Sequence, residues 1–218
     1  MELLIFNFYA KILLGWWFMS LKKEGYKPRL IDKKIEEWLN VFGAISIIGP
    51  KWCGKTWTSL AHSKTVKYID SNDKKMFNLA QIDVNQILLG DYPILIDEWQ
   101  LIPQIWDVVR RKCDEDKIKG KFILTGSATE KENTINHSGA GRICKLNMGT
   151  MSLFESGNSQ GSVSLKNLFN NEALITHQTK ELLLEDIADL ILKGGWPENI
   201  DKPAKEAQMV AKSYIKDI

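Results

Sequence analysis

Between Gly49 and Thr56 the chain reads Gly-Pro-Lys-Trp-Cys-Gly-Lys-Thr, which is the spacing G-x-x-x-x-G-K-T. These residue types at these intervals can hold a polyphosphate. Glycine lets a backbone turn sharply and approach a ligand closely. The N–H groups of Trp52 through Thr56 converge where a helix begins, and there unpaired donors and the helix dipole both favour an anion. Gly49, Pro50, Lys51, Trp52, Cys53 and Gly54 then form the cradle, with Lys55 on the β- and γ-phosphates and the Thr56 hydroxyl on Mg²⁺. The ligands this chemistry calls for are ATP or ADP with Mg²⁺. An ordinary glycine-containing turn shares the same four fixed positions, so the surroundings must decide.

About 40 residues further on, Ile94-Leu95-Ile96 runs into Asp97-Glu98. An aspartate at the end of an apolar strand can hold Mg²⁺ through water while accepting a hydrogen bond from Thr56. Glu98 beside it can orient and polarise an attacking water as a general base. The competing explanation is that both acids cap the following helix. Thr125 and Ser127 close another apolar run, Phe122-Ile123-Leu124. A hydroxyl there can contact the γ-phosphate or the attacking water, although turn-forming residues look the same for local reasons. The spacing does not separate the two. Arg142, in Gly139-Ala140-Gly141-Arg142, can neutralise charge on a transferring phosphoryl group, within its own subunit or on a neighbour.

Positioning these groups is the task of alternating strands and helices. The apolar runs 44–48, 65–69, 94–96 and 122–124 read as strands, and one or two more are expected between 143 and 154. Helical spacing recurs at Ile31, Ile35, Trp38, Leu39 and Phe42, with Asp32 as a cap and Gly43 as the stop. It recurs again at Ile102, Ile105, Trp106, Val109 and Cys113, closed by Lys119-Gly120. Such alternation predicts an α/β fold, a parallel sheet covered on both faces, with ligands bound beyond the carboxyl ends of the strands. Residues 1–25 form an apolar extension open to three readings, a peripheral membrane-surface segment, a partner-binding segment or a start-site artefact, the last favoured because Met19 is a natural alternative first residue. Residues 26–155 form the core, and 156–218 a small helical domain whose last helix lacks a closing turn.

Composition narrows the class. With 218 residues, 44% hydrophobic and 26% charged, the chain suits one sizeable globular core and a small appendage. A net charge of +2 does not announce DNA as a partner, which leaves DNA association without support from charge. Three scattered cysteines and three scattered histidines fit no zinc or disulfide pattern and indicate a reducing, cytoplasmic setting. Leu3 to Met19 is apolar but is interrupted by Asn7 and Lys11. It falls short of a membrane span and lacks the features of a secretory signal.

Taken together, Arg29-Leu30-Ile31-Asp32, the Gly49–Thr56 loop, Leu95-Ile96-Asp97-Glu98-Trp99-Gln100, Phe122–Ala128, Gly141-Arg142 and Gly194-Gly195-Trp196-Pro197 resemble prokaryotic AAA+-like ATPases with a C-terminal domain of unknown function. The resemblance runs from about Tyr26 to the end. It implies a phosphate-loop core with an additional strand in a parallel sheet, a helical lid, ATP with Mg²⁺, and matching roles for Lys55, Thr56, Asp97 and Glu98. Relatives continue into a further domain, so a truncated chain is expected. The leading expectation is an ATP hydrolase coupled to movement of the lid or of a protein partner, self-association included. The alternative is a nucleotide-dependent binding module without turnover. A small-molecule kinase is disfavoured, because no arginine follows Ser156 to form a phosphate-gripping lid.

Overall fold

A computed structural model describes residues 21–70, 74–115, 117–127 (Ser127 by its backbone alone), 139–170 and 182–216. The apolar extension, apart from residues 21–25, lies outside the described residues. The first unit comprises residues up to Pro50 together with Lys55–Met148, and the second comprises Lys51–Gly54 with Gly149–Ile218.

Among the described residues five strands build the first unit: β1 (Ala44–Gly49), β2 (Thr65–Tyr68), β3 (Ile94–Asp97), β4 (Phe122–Ser127) and β5 (Ile143–Asn147). All pair in parallel in the order β2-β3-β4-β1-β5. The predicted parallel α/β sheet is present, with β4 as an additional strand between β1 and β3. Its register places Asp97 beside Thr125, Thr125 beside Ile47 and Ser127 beside Gly49. The chemistry-bearing ends of β1, β3 and β4 therefore share one edge.

Strand side chains alternate between faces, and both faces here are apolar. Ala44, Ile94, Ile96, Phe122 and Leu124 join a core cluster with Ile105, Trp106 and Val109. Ile45, Ile47, Leu95 and Ile123 are equally buried but point the other way. Between 143 and 154 one strand forms among the described residues, and Phe154 lies in a turn.

Among the described residues this unit has the α-helices α1 (Asp32–Leu39), α2 (Lys55–Ala61), α3 (Lys75–Ile82) and α4 (Gln104–Asp114). Helix α1 stops at Leu39, four residues before the expected glycine. Gly43 instead serves the sheet, its carbonyl accepting from Lys121 at 2.8 Å and Phe122 at 3.3 Å. Asp32 lies inside the first turn and accepts the Arg29 N–H at 2.8 Å, so it tethers the preceding loop rather than capping the helix. Helix α4 buries Ile105, Trp106, Val108 and Val109 and ends at Asp114, before Lys119-Gly120. Trp106 also meets Trp99 at 5.0 Å between ring centroids, a pairing worth about 0.5–1.5 kcal/mol beyond area burial. Trp99 and Trp106 belong to the core, whereas Trp38 is only half-buried, against Phe42 and the Lys34 ammonium.

In the second unit the described residues form α5 (Leu165–Phe169), α6 (Leu184–Lys193) and α7 (Ala204–Lys216). Trp196 packs against Tyr214 at 4.7 Å, and Trp52, which belongs to this unit, lies 5.1 Å from Tyr214. Gly195 is required by contact. Met151 N–H donates to its carbonyl at 2.6 Å, and a Cβ at 195 would fall 2.4 Å from the Met151 carbonyl oxygen. Among the described residues no helix is long and apolar enough to cross a membrane.

Candidate functional site

The strand-to-helix loop after β1 bends as its sequence requires. Gly54 has φ +99°, which glycine adopts without a Cβ penalty, and Trp52 adopts the left-handed region at φ +65°. Cys53 is fully buried, as a small filler should be. Helix α2 opens on Lys55, whose side chain is 8% exposed and turns back over the loop. Its ammonium donates to the Gly49 carbonyl at 3.0 Å and the Pro50 carbonyl at 2.9 Å. A lysine ammonium carries three donors, so two are spent on holding the loop mouth and the third can serve a ligand.

Next to Lys55, the Thr56 hydroxyl donates to Asp97 at 3.1 and 3.2 Å from the two carboxylate oxygens. Thr125 is fully buried, and its hydroxyl also donates to Asp97 Oδ1. Loop, β3 and β4 thus meet at one carboxylate. Asp97 is 6% exposed. Burial pushes its carboxyl above the ordinary carboxylate range, and the nearby charges of Glu98 and Asp70 add to the rise. The hydrogen bonds from Thr125 and Thr56 pull the other way. Tyr68, opposite Asp97 on β2, is raised by burial and then by Asp97 and Asp70.

No group of three or more acidic, histidine or cysteine ligands capable of enclosing a metal occurs among the described residues. Mg²⁺ does not need one. It keeps several waters and takes one or two protein oxygens plus phosphate oxygens. A threonine hydroxyl and a buried carboxylate whose charge burial disfavours form a hard-oxygen pair that a divalent cation would satisfy.

Glu98 follows with φ +56° and ψ +42°, an unusual backbone for a residue with a side chain. It does not cap α4, and neither does Asp97. That helix begins six residues after Glu98 with Pro103 at its cap position, and a short 3₁₀ turn over Trp99–Leu101 intervenes. The capping explanation of the acidic pair is therefore removed. The Glu98 carboxylate accepts instead from Gln100 Nε2.

Thr125 and Ser127 both end β4 at this edge, but only Thr125 has a described side chain; that of Ser127 lies outside the described residues. Arg142 is elsewhere. Its carbonyl accepts from Ala44 N–H at 3.1 Å, at the start of β1. Five residue steps of about 3.3 Å put it about 16 Å from the loop end of that strand. The guanidinium pairs with Asp114 at 2.8 Å, with both side chains nearly half exposed, and Asp114 raises its proton affinity. A role for Arg142 in its own site is corrected by this placement, since the parallel register sends it to the amino-terminal edge of the sheet.

Two clusters escaped the sequence reading. Gln100 touches Glu98, and only the motif Asp97-Glu98-Trp99-Gln100 hinted at it. Behind the loop helix, Tyr26 donates to Asp32 at 2.7 Å, while His62 Nε2 lies 3.1 Å from the same oxygen. Burial acts to raise Asp32, but hydrogen bonds from His62, the Arg29 N–H and Tyr26 outweigh it and hold the carboxyl below its usual range. Burial drives the Tyr26 phenol above its ordinary value. The signal was the Arg29–Asp32 segment, but its partner His62 is 30 residues away.

Residues 42–156, more than half of the chain, match a family model described as an AAA domain. Among solved structures the chain is similar to the Walker-type ATPase PABY2304 of Pyrococcus abyssi, with 13% identity, a TM-score of 0.51, and coverage of 91% of this chain and 76% of that one. It is also similar to AMPPCP-bound DnaA from Aquifex aeolicus, with 16% identity, a TM-score of 0.51, and coverage of 91% and 69%. At such identities the likeness shows the fold alone. No curated protein matches the sequence.

Proposed function

The chain belongs to the AAA domain family, and from that premise we propose that it binds ATP with Mg²⁺ and hydrolyses it. The observation that carries this reading is the junction at Asp97, where the hydroxyls of Thr56 and Thr125 meet one buried carboxylate beside Lys55. AMPPCP in the DnaA relative supports an adenine nucleotide triphosphate as the ligand. Backbone N–H groups of the loop and the Lys55 ammonium hold the phosphates. Thr56 and Asp97 hold the metal, which when bound offsets charge on the phosphate oxygens. Glu98 receives a proton from the attacking water, whose oxygen bonds to the γ-phosphorus as the bond to the ADP oxygen breaks. Thr125 favours the ionised form of Asp97 and orients it. The helical segment 156–218 acts as a lid that moves during the cycle. The setting is cytoplasmic, with a protein partner or a second copy as the recipient of that movement.

Phosphate release from wild type and Glu98→Gln tests the reading. Loss of a general base typically costs about 10²–10⁴-fold in turnover, and nucleotide affinity should persist. Equal, nonzero rates would remove Glu98 from the mechanism.

A further inference from the structure

We infer that Gln100 is a positioning residue for Glu98, held in place by the absence of a side chain at Gly126. The inference rests on the reading of Glu98 as the base. Glu98 leaves β3 in the left-handed region, where a backbone carrying a side chain is not self-supporting and needs its surroundings to hold it. Its carbonyl accepts from Leu101 N–H at 3.1 Å, which ties down the backbone, and its carboxylate is held by the Gln100 amide, whose Nε2 donates to Glu98 Oε2. A carboxylate only accepts, so this bond settles which end of the amide is which. The donor end must face Glu98 and the oxygen end must face away.

That oxygen end lies over β4. Gln100 Oε1 is buried and has no hydrogen-bond partner among the described residues, and neither has Trp99 Nε1 nearby. A Cβ built at Gly126 would fall 2.7 Å from Gln100 Oε1 and 3.3 Å from Trp99 Nε1. Gly126 follows Thr125, the residue that donates to Asp97. The same two positions of β4 thus manage both acids: Thr125 binds the aspartate directly, and Gly126 makes room for the amide that binds the glutamate. Burying an amide oxygen without a partner is unfavourable. The charge-assisted bond at the other end offsets that cost and orients the carboxylate. With Oε2 occupied by Gln100, Oε1 is the oxygen left for the water.

The test compares kcat and KM for ATP in wild type, Glu98→Gln, Gln100→Met, Gly126→Ala and the double variant Glu98→Gln/Gln100→Met, with thermal unfolding of each. Methionine keeps the length of glutamine and removes the donor. Alanine at 126 keeps the donor and displaces a flexible side-chain end, so it decides the matter if Gln100→Met does not fold. Misplacing a reacting group by about 1 Å can cost about 10²-fold, so kcat should fall on that order in Gln100→Met and in Gly126→Ala, with KM unchanged. The double variant should be no slower than Glu98→Gln alone, because Gln100 acts only through Glu98. Wild-type turnover in Gln100→Met and Gly126→Ala, with Glu98→Gln impaired, overturns this inference and leaves the base assignment standing. Multiplicative losses in the double variant overturn it too. A Glu98→Gln chain as fast as wild type, or a wild type without turnover, overturns both readings.

Discussion

Replacing Thr125 by valine removes one hydroxyl and almost no volume from a fully buried site. Its hydroxyl donates to Asp97, and hydrogen bonds to charged groups contribute about 1.5–3 kcal/mol. For a chain of this length each kcal/mol shifts Tm by about 2–4 °C, so Thr125→Val should melt about 3–12 °C lower at neutral pH. Thr125→Ser keeps the hydroxyl and loses one methyl, about 1 kcal/mol, and should be the milder change. The pH dependence is the sharper readout. Burial raises Asp97 in the folded chain, so the folded state holds the proton longer than the unfolded state does. Stability from this group is greatest below the unfolded value, about 3.9, and is lost as pH rises through the folded value. Thr125 opposes that rise. Valine therefore lifts the folded value further, and its penalty grows as pH climbs through the window. At the acid end, where Asp97 is protonated in both states, only a neutral hydrogen bond is lost, about 1 kcal/mol. Circular dichroism melts in metal-free buffer from about pH 4 to about pH 8 span this range. A penalty independent of pH, or a serine variant less stable than the valine one, would refute the account of Asp97 given above.

ATP at a hundred times its Kd should add about 2.7 kcal/mol to the wild type, about 5–11 °C in Tm, and Lys55→Ala should lose that shift; equal shifts in a thermal melt would take Lys55 off the phosphates. Gly195→Ala places a Cβ 2.4 Å from the Met151 carbonyl oxygen and should cost about 1–3 kcal/mol by urea unfolding. Gly149→Ala meets nothing within 4 Å and should stay within about 0.5 kcal/mol. Asp32→Asn should destabilise the chain at neutral pH and converge with wild type in acid. The depressed carboxyl contributes above the unfolded value of about 3.9 and ceases to as pH falls through the folded one, so urea midpoints that differ equally at both ends would contradict this.

The one identity legible from local pattern alone was the loop. Two glycines, a lysine and a threonine after an apolar strand specify a turn and a helix start through contacts within a few residues, and Lys55 indeed folds back on Gly49 and Pro50. The strands were legible for the same reason, since period and apolarity report burial on both faces of a sheet. The helix ends were not. Gly43 looked like a stop signal, but its carbonyl serves the approach to β4 and its missing side chain leaves room for Cys113.

Everything that joins distant segments had to await the tertiary structure. Strand order brings Thr125 to Asp97 across 28 residues and Thr56 to the same oxygen across 41. The same register carries Arg142 to the far edge, although its neighbours in the chain read as part of the site. Gln100 lies two residues from Glu98, yet its hold on that carboxylate depends on the left-handed turn at Glu98 and on a glycine in another strand. Residue types are chosen one position at a time and reveal what each group can do. Which groups meet is decided by sheet register and by the space their neighbours leave, and neither is written within any single stretch of the chain.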